Sequence, residues 1–344
     1  MKKIESQSET SNYDEELDVL FESAEKNLDD GDYEKAVENL TKAIQLAPTD
    51  VECYAGRARV FYMLNRIDEA MVDITEAIRL EPDDAEYYDN RADAYHMLAQ
   101  WDKALSDSNR AIQLDPNKAQ HYHNRAHAYH MTAQWRKALA DRNKAIQLEP
   151  DDAEYYDNRA HTYYMMGHQK NAIADFTKAI QLEPDDASHY DGRALAYCET
   201  SKWENAIADY TKAIQLEPDK AGCYNRRAEV YSQMEQWDKA LENYKKAMKL
   251  DPANVYFYND RAETYMRMEQ YDKAVADYTK AIQLDPDFAW SYVGRAMAYR
   301  EMEKWDEALS DLTLAVKYDP DKKEFLKAKR NLEKFLKNSA WLVE

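Results

Sequence analysis

Apolar residues return along this chain at a fixed interval. In a unit of 34 residues starting at Leu17, position 4 is Leu20 and then Tyr in every later unit, from Tyr54 to Tyr292. Position 8 is always Ala, from Ala24 to Ala296, and position 11 is Asn27, Phe61 and then Tyr from Tyr95 to Tyr299. Positions 4, 8 and 11 fall on one stripe of an α-helix. A second stripe has Ala at positions 20 and 27 of every unit. Two helices per unit follow, and their small residues let them approach closely. All nine prolines, Pro48 to Pro320, sit 34 residues apart at position 32. The residue before a proline avoids helical geometry, so each proline closes a helix pair. The pattern predicts nine units: 17–50, 51–84, 85–118, 119–152, 153–186, 187–220, 221–254, 255–288 and 289–322.

Residues 1–16 are polar and are expected to be loose. In residues 323–344, Phe325, Ala328, Leu332 and Phe335 share one helical face with lysines opposite, which predicts a helix covering the last apolar surface. The final WLVE is expected either to dock on the last unit or to stay available as an anchor.

The stretch AEYYDNRAHTYYMMGHQKNAIADFTKAIQLEPDD (153–186) carries a large apolar residue at 4, a small one at 8, an aromatic at 11, Ala at 20, an aromatic at 24, Ala at 27 and Pro at 32. In this it resembles the tetratricopeptide repeat family. The resemblance covers about nine-tenths of the chain. It implies an all-α fold: an α-solenoid, a right-handed superhelix of nine helix-turn-helix repeats with a C-terminal capping helix. It also implies that first helices line a concave groove through positions 2, 5, 6, 9, 12 and 13.

The net charge of −20, with a pI of about 4.9, argues against nucleic acid or an acidic membrane surface as partner. No stretch has the apolar length of a membrane span or secretory signal. Cys53, Cys198 and Cys223 form no C-x-x-C pair, which points to a reducing cytoplasm. Charge is uneven: residues 1–50 carry five Lys/Arg against 14 Asp/Glu, and residues 322–344 carry seven against three. The basic end reads as a solvated capping helix or a dock for an acidic partner.

Several conspicuous residues read as framework. Fifteen of 27 tyrosines occupy positions 4 and 11, and Trp101, Trp135, Trp203, Trp237 and Trp305 begin second helices. Position 7 is Arg in repeats two to nine, and position 23 is Asp in seven of those eight, with Asn243 the exception. The two sets predict a ladder of paired charges between the helices. Position 24 is Ser108 in repeat three and Arg142 in repeat four, where the other repeats have an aromatic or aliphatic residue. The expectation is a tolerated weak spot with the Arg stem snorkelling, or a softer joint.

The candidate peptide-binding groove is most distinctive in repeats three to five. Repeat three offers Asp89, Asn90, Asp93, His96 and Met97; repeat four offers His123, Asn124, His127, His130 and Met131; repeat five offers Asp157, Asn158, His161, Tyr164 and Met165. Towards the C-terminus the expected groove changes to Arg226, Glu229, Tyr256, Asn259, Asp260, Glu263, Trp290 and Arg300. Amides both donate and accept, suiting a peptide backbone, and methionines give an adaptable apolar floor. A subset of the family clamps chaperone C-terminal carboxylates. Asn90, Asn124, Asn158 and Arg226 match single positions of that clamp, but the full set never assembles in consecutive repeats.

Four of the eight histidines lie in HYHNRAHAYH (121–130). His123, His127 and His130 share a helical face, with His121 pointing the other way. His123 and His130 lie about 10 Å apart along the axis, too far for one metal to take all three. His123 and His127 would chelate only if Asp93 or His161 reached across. Imidazoles beside Asp89, Asp93 and Asp157 are expected to titrate near neutrality. EPDDAEYYDNRA occurs at both 81–92 and 149–160, so duplication also multiplies groove residues. The leading expectation is a non-enzymatic scaffold holding a protein partner in the groove, with no cofactor. The alternatives are metal binding through the groove histidines and a co-chaperone-like adaptor. No phosphate loop or H-E-x-x-H supports an enzyme.

Overall fold

The computed structural model describes the backbone of residues 2–340 and the side chains of residues 15–338. Described residues form helices and the turns between them, with no strand. An N-terminal body spans Met1–His168 and a C-terminal body spans Gln169–Glu344. The first holds α1 (Lys2–Asp29), α2 (Tyr33–Leu46), α3 (Val51–Met63), α4 (Ile67–Leu80), α5 (Ala85–Met97), α6 (Trp101–Leu114), α7 (Ala119–Met131), α8 (Trp135–Leu148) and α9 (Ala153–Met165). The second holds α10 (Gln169–Leu182), α11 (Ala187–Glu199), α12 (Trp203–Leu216), α13 (Ala221–Gln233), α14 (Trp237–Leu250), α15 (Val255–Arg267), α16 (Tyr271–Leu284), α17 (Ala289–Glu301), α18 (Trp305–Tyr318) and α19 (Lys323–Ala340). No described helix is long and apolar enough to cross a membrane. The backbone of α1 takes in residues 2–16 as well. Nothing there breaks a helix, since the first Gly is Gly31 and the first Pro is Pro48.

Each pair is set by three local devices. Where position 34 is Asp or Asn, its side chain caps the next helix: Asp50, Asp84 and Asp186 accept from the backbone N–H two residues on, at 2.9, 2.7 and 2.7 Å. The position-4 tyrosine reaches back to the proline carbonyl six residues earlier, as in Tyr88 to Pro82 (3.0 Å) and Tyr292 to Pro286 (3.0 Å). Between the two helices, position 15 turns left-handed. Asn65, Ala99, Ala133, Ser201, Glu235, Glu269 and Glu303 all have φ between 52° and 59°, while Gly31 and Gly167 serve elsewhere. This turn lets the N–H of Gln100 reach the carbonyl of Tyr95 at 2.8 Å, which closes the end of α5.

The alanines at positions 20 and 27 are wholly buried in every repeat, so backbones meet with little side chain between them. The predicted ladder forms as two-pronged forks. Arg125 donates from Nε and Nη2 to the Asp141 carboxylate, at 2.7 Å each. The forks of Arg57–Asp73, Arg193–Asp209, Arg261–Asp277 and Arg295–Asp311 repeat this geometry. A third prong, absent from the sequence expectation, points backwards: Nη1 of Arg125 reaches Asn109 (2.7 Å), and that of Arg295 reaches Thr279 (2.9 Å). Each such arginine therefore ties its own second helix to the preceding one. Arg227 keeps this arm to Thr211 but has only Asn243 Oδ1 for its fork.

The two unusual position-24 residues are core, which corrects the snorkelling expectation. Arg142 is 3% exposed and donates to the Asn158 carbonyl and the Thr162 hydroxyl. Burial pushes its guanidinium down to about 10, against the pull of Asp157. Ser108 is fully buried. In the C-terminal body, α19 buries Phe325 and Leu332 against α17 and α18. Phe335, expected on the same buried face, is 47% exposed beside the Trp305 ring. Residues 341–344 lie outside the described residues.

Two stability outcomes follow. Arg125→Ala leaves a buried carboxylate unpaired and should cost about 3–5 kcal/mol in urea unfolding. The Arg125→Ala,Asp141→Asn double variant should fall short of the summed single effects by about 1–3 kcal/mol, and additivity would refute the fork. Ala99→Gly and Ala133→Gly should each stabilise by about 0.5–1 kcal/mol, because only glycine takes a left-handed φ without a Cβ penalty. A loss of stability at both sites would contradict this account of the turn.

Candidate functional site

The predicted groove residues of repeats three to five lie on α5, α7 and α9, all in the N-terminal body. The 34-residue period gives each helix the same face. Met97, Met131 and Met165 mark it, at 57%, 52% and 54% exposure. Asn90 and His161 are also exposed, while Asp93, His96, His123, His127, His130, Asp157, Asn158 and Tyr164 are half-buried. The Asn90 carbonyl accepts from Tyr62 (2.5 Å), and the Asn158 amide donates to the Glu154 carbonyl (3.0 Å).

Two predicted lining residues are instead buried. Asp89 is 6% exposed and faces the wholly buried His121, whose Nδ1 lies 3.2 Å from its Oδ2. His121, which the helical wheel turns away from the cluster, thus meets a predicted groove residue of the preceding repeat. Asn124 is 3% exposed and accepts from Gln120 at 2.8 Å. Its burial has a cause in the core. At the equivalent position 6, a Cβ on Gly192 would lie 2.5 Å from the Phe176 ring, and one on Gly294 would lie 2.4 Å from Tyr278. In that register Asn124 stands opposite Ser108, whose small side chain leaves room for the amide.

The histidines interleave with framework aromatics. His96 meets His127 edge-on (4.9 Å) and Trp101 (6.0 Å), His130 meets Trp135 (4.8 Å), and His123 meets Tyr155 (5.4 Å). Burial holds His96, His123 and His130 down to about 4. His127 is lowered by burial and then by His123. Arg142 opposes protonation of His123 and His130, its Nη1 lying 3.5 Å from His130 Nδ1. The expected titration near neutrality is therefore corrected for His96, His123 and His130: withdrawal from water, joined at His123 and His130 by the Arg142 cation, outweighs the nearby carboxylates. Asp93, 3.7 Å from His96, is pushed upwards by burial and then by Asp89.

The groove histidines do not converge on a metal-sized point. Among the described residues, the one grouping of three His, Cys, Asp or Glu with ligand atoms within 4.8 Å is Glu183, Asp186 and His189, in the turn leading into α11. Sequence reasoning missed it, although the acidic pair before a first-helix histidine is visible in EPDDASH. Arg226, in the C-terminal body, is already ion-paired to Asp191. It is not a free carboxylate clamp.

In an NMR pH titration, His96, His123 and His130 should stay neutral between about pH 7.5 and 5.5 and protonate near 4. Removing the cation with Arg142→Leu should raise His123 and His130. Unfolded histidines take up protons near 6.5, so acidification from there towards 4 favours unfolding at these sites, with Asp93 acting in the opposite sense. Midpoints above about 6 in the unaltered protein would overturn the buried, neutral assignment.

Tetratricopeptide repeat family models match residues 27–94, 109–140, 153–186, 255–288 and 277–310. A TPR repeat model matches residues 194–235 and 230–269. No curated protein matches the chain. Among solved structures, a tetratricopeptide repeat protein from Parabacteroides merdae is similar at 23% identity and a TM-score of 0.57, over 69% of this chain and 94% of that one. Yeast Tom70 is similar at 16% identity and a TM-score of 0.54, over 94% of this chain and 89% of that one. A chain of the APC/C hetero-tetramer Cut9–Hcn1 is similar at 15% identity and a TM-score of 0.56, over 87% of this chain and 58% of that one. The repeated helix pairs, the fork-and-alanine framework and these matches lead to one conclusion: the chain belongs to the tetratricopeptide repeat family.

Proposed function

We propose that the nine repeats of residues 17–322 form a non-enzymatic interaction scaffold, holding a peptide or helix of a partner protein on the first-helix face. The row of Met97, Met131 and Met165 carries this reading. Three large apolar side chains, each about half exposed, recur at one register on successive first helices. Scattered exposed apolar residues need no explanation, but a periodic row on one face marks a contact surface. Methionine suits it, being unbranched and polarizable. Asn90, Asp93, His127, His130, Asp157, Asn158, His161 and Tyr164 supply polar contacts around the row. Asp89 and Asn124 act from beneath, as supports. The imidazoles of His96, His123 and His130 present neutral rings, so the surface suits an apolar, hydrogen-bonding segment better than a strongly anionic one. The acidic balance of the chain favours a protein partner over nucleic acid or an anionic membrane.

Affinity capture with quantitative mass spectrometry tests this. Met97→Glu,Met131→Glu,Met165→Glu should lose the partner while helicity and melting stay unchanged. Val72→Glu, at a 68% exposed site on the second helix α4, should keep it. Equal capture by both variants would rule out the methionine face as the contact surface.

A further inference from the structure

The C-terminal body carries a first-helix site of different chemistry, between α13 and α15. Asn225 is 5% exposed, and its amide nitrogen donates to two carboxylates at once: Glu229 at 2.7 Å and Asp260 at 2.6 Å. Its carbonyl oxygen is buried with no hydrogen-bond partner. Glu263 stands about one turn beyond Asp260. These carboxylates border a cavity of about 120 Å³, with the Tyr244 hydroxyl and Arg267 also in its wall.

Acceptors therefore crowd this point without matching donors. The chain's own cations are committed nearby. Arg226, on α13, is ion-paired to Asp191 of α11. Arg267, on α15, lies over the Trp237 ring (5.4 Å) and donates to Ser232 (3.1 Å). Neither forms an ion pair with Glu229, Asp260 or Glu263 among the described residues. Tyr244 from α14 donates nothing to the carboxylates: it is the acceptor of a bond from Thr264 (3.2 Å). Tyr278 of α16 is pushed upwards by burial and then by Glu263 and Asp260, so it stays a neutral phenol.

We propose that Glu229, Asp260 and the Asn225 carbonyl form a subsite for a cationic side chain, lysine or arginine, of a partner protein. The proposal rests on the scaffold reading above and adds the chemistry of a second contact. An ammonium or guanidinium supplies the missing donors and offsets part of the charge of two adjacent acids. A metal ion fits less well, because the three-ligand grouping a metal needs does not form here among the described residues. Without a partner, the site meets its need with a proton. Protein packed around its carboxyl, then the neighbouring Asp260, raise Glu229 to about 8, although the residue as a whole is exposed. Asp260 is raised by burial, against its bond from Asn225. A bound cation displaces that proton, so binding strengthens as pH rises through the Glu229 value.

The test uses the isotope-labelled full chain, with butylguanidinium chloride as probe and neutral butylurea as its control. Butylguanidinium should give saturable amide shifts in α13 and α15, about tenfold or more tighter near pH 8.5 than near pH 6.5. Butylurea should give none. Glu229→Gln,Asp260→Asn, which keeps shape and hydrogen bonding, should abolish the response with helicity unchanged. Equal shifts from butylurea, a response that survives in the variant, or the absence of saturation would each overturn the subsite. Saturation by calcium chloride without butylguanidinium binding would overturn it in favour of a metal. If the variant misfolds, the two probes on the unaltered chain still decide. The methionine capture experiment reads α5, α7 and α9 independently, so either reading can fail while the other stands.

Discussion

Repeats two, four, six and nine are each held by an arginine that bonds in three directions. Two prongs grip an aspartate on the second helix of its own repeat, and the third grips a threonine or asparagine on the second helix of the preceding one. A guanidinium is the one side chain whose planar donors reach both partners without protonation ever being in question. The fork works only because wholly buried alanines at positions 20 and 27 bring the helices close. Closeness in turn makes the pair hard to break singly, since each half leaves the other buried and charged. The tyrosine-to-proline bond adds a neutral latch at each junction.

Core and first-helix face are coupled at one position. At two junctions a large ring at position 24 sits against glycine at position 6 of the next repeat, Phe176 on Gly192 and Tyr278 on Gly294, whereas Tyr210 and Tyr244 are followed there by Arg226 and Asp260. Where position 24 shrinks to Ser108, Asn124 sinks into the space. Where it becomes Arg142, the guanidinium takes the Asn158 carbonyl and sets a positive charge beneath three imidazoles. A core residue thus alters the chemistry of the first helices on both sides of it, in its own repeat and in the next.

Burial also sets the charge state of individual groups on the first helices. In the N-terminal body, burial and Arg142 keep histidines neutral. In the C-terminal body, crowding keeps a carboxylate protonated. One end offers apolar and neutral polar contacts, and the other offers acceptors lacking a cation.

Period, helix pairing, the arginine–aspartate ladder and the family were all legible in the sequence, because each depends on residues recurring every 34 positions on a helix of known pitch. The left-handed turn at position 15 was not, since Ala99, Ala133 and three glutamates carry no turn signature there. Reading one helix at a time placed His121 away from the cluster and Asp89 on the surface. Only the packing of α7 against α5 brings them into contact at 3.2 Å. Burial likewise decided which histidines stay neutral and that Arg142 belongs to the core. Helical spacing is a property of one segment and can be counted along the chain; solvent exclusion and the third prong of arginines such as Arg125 belong to neighbouring segments and exist only once they have packed.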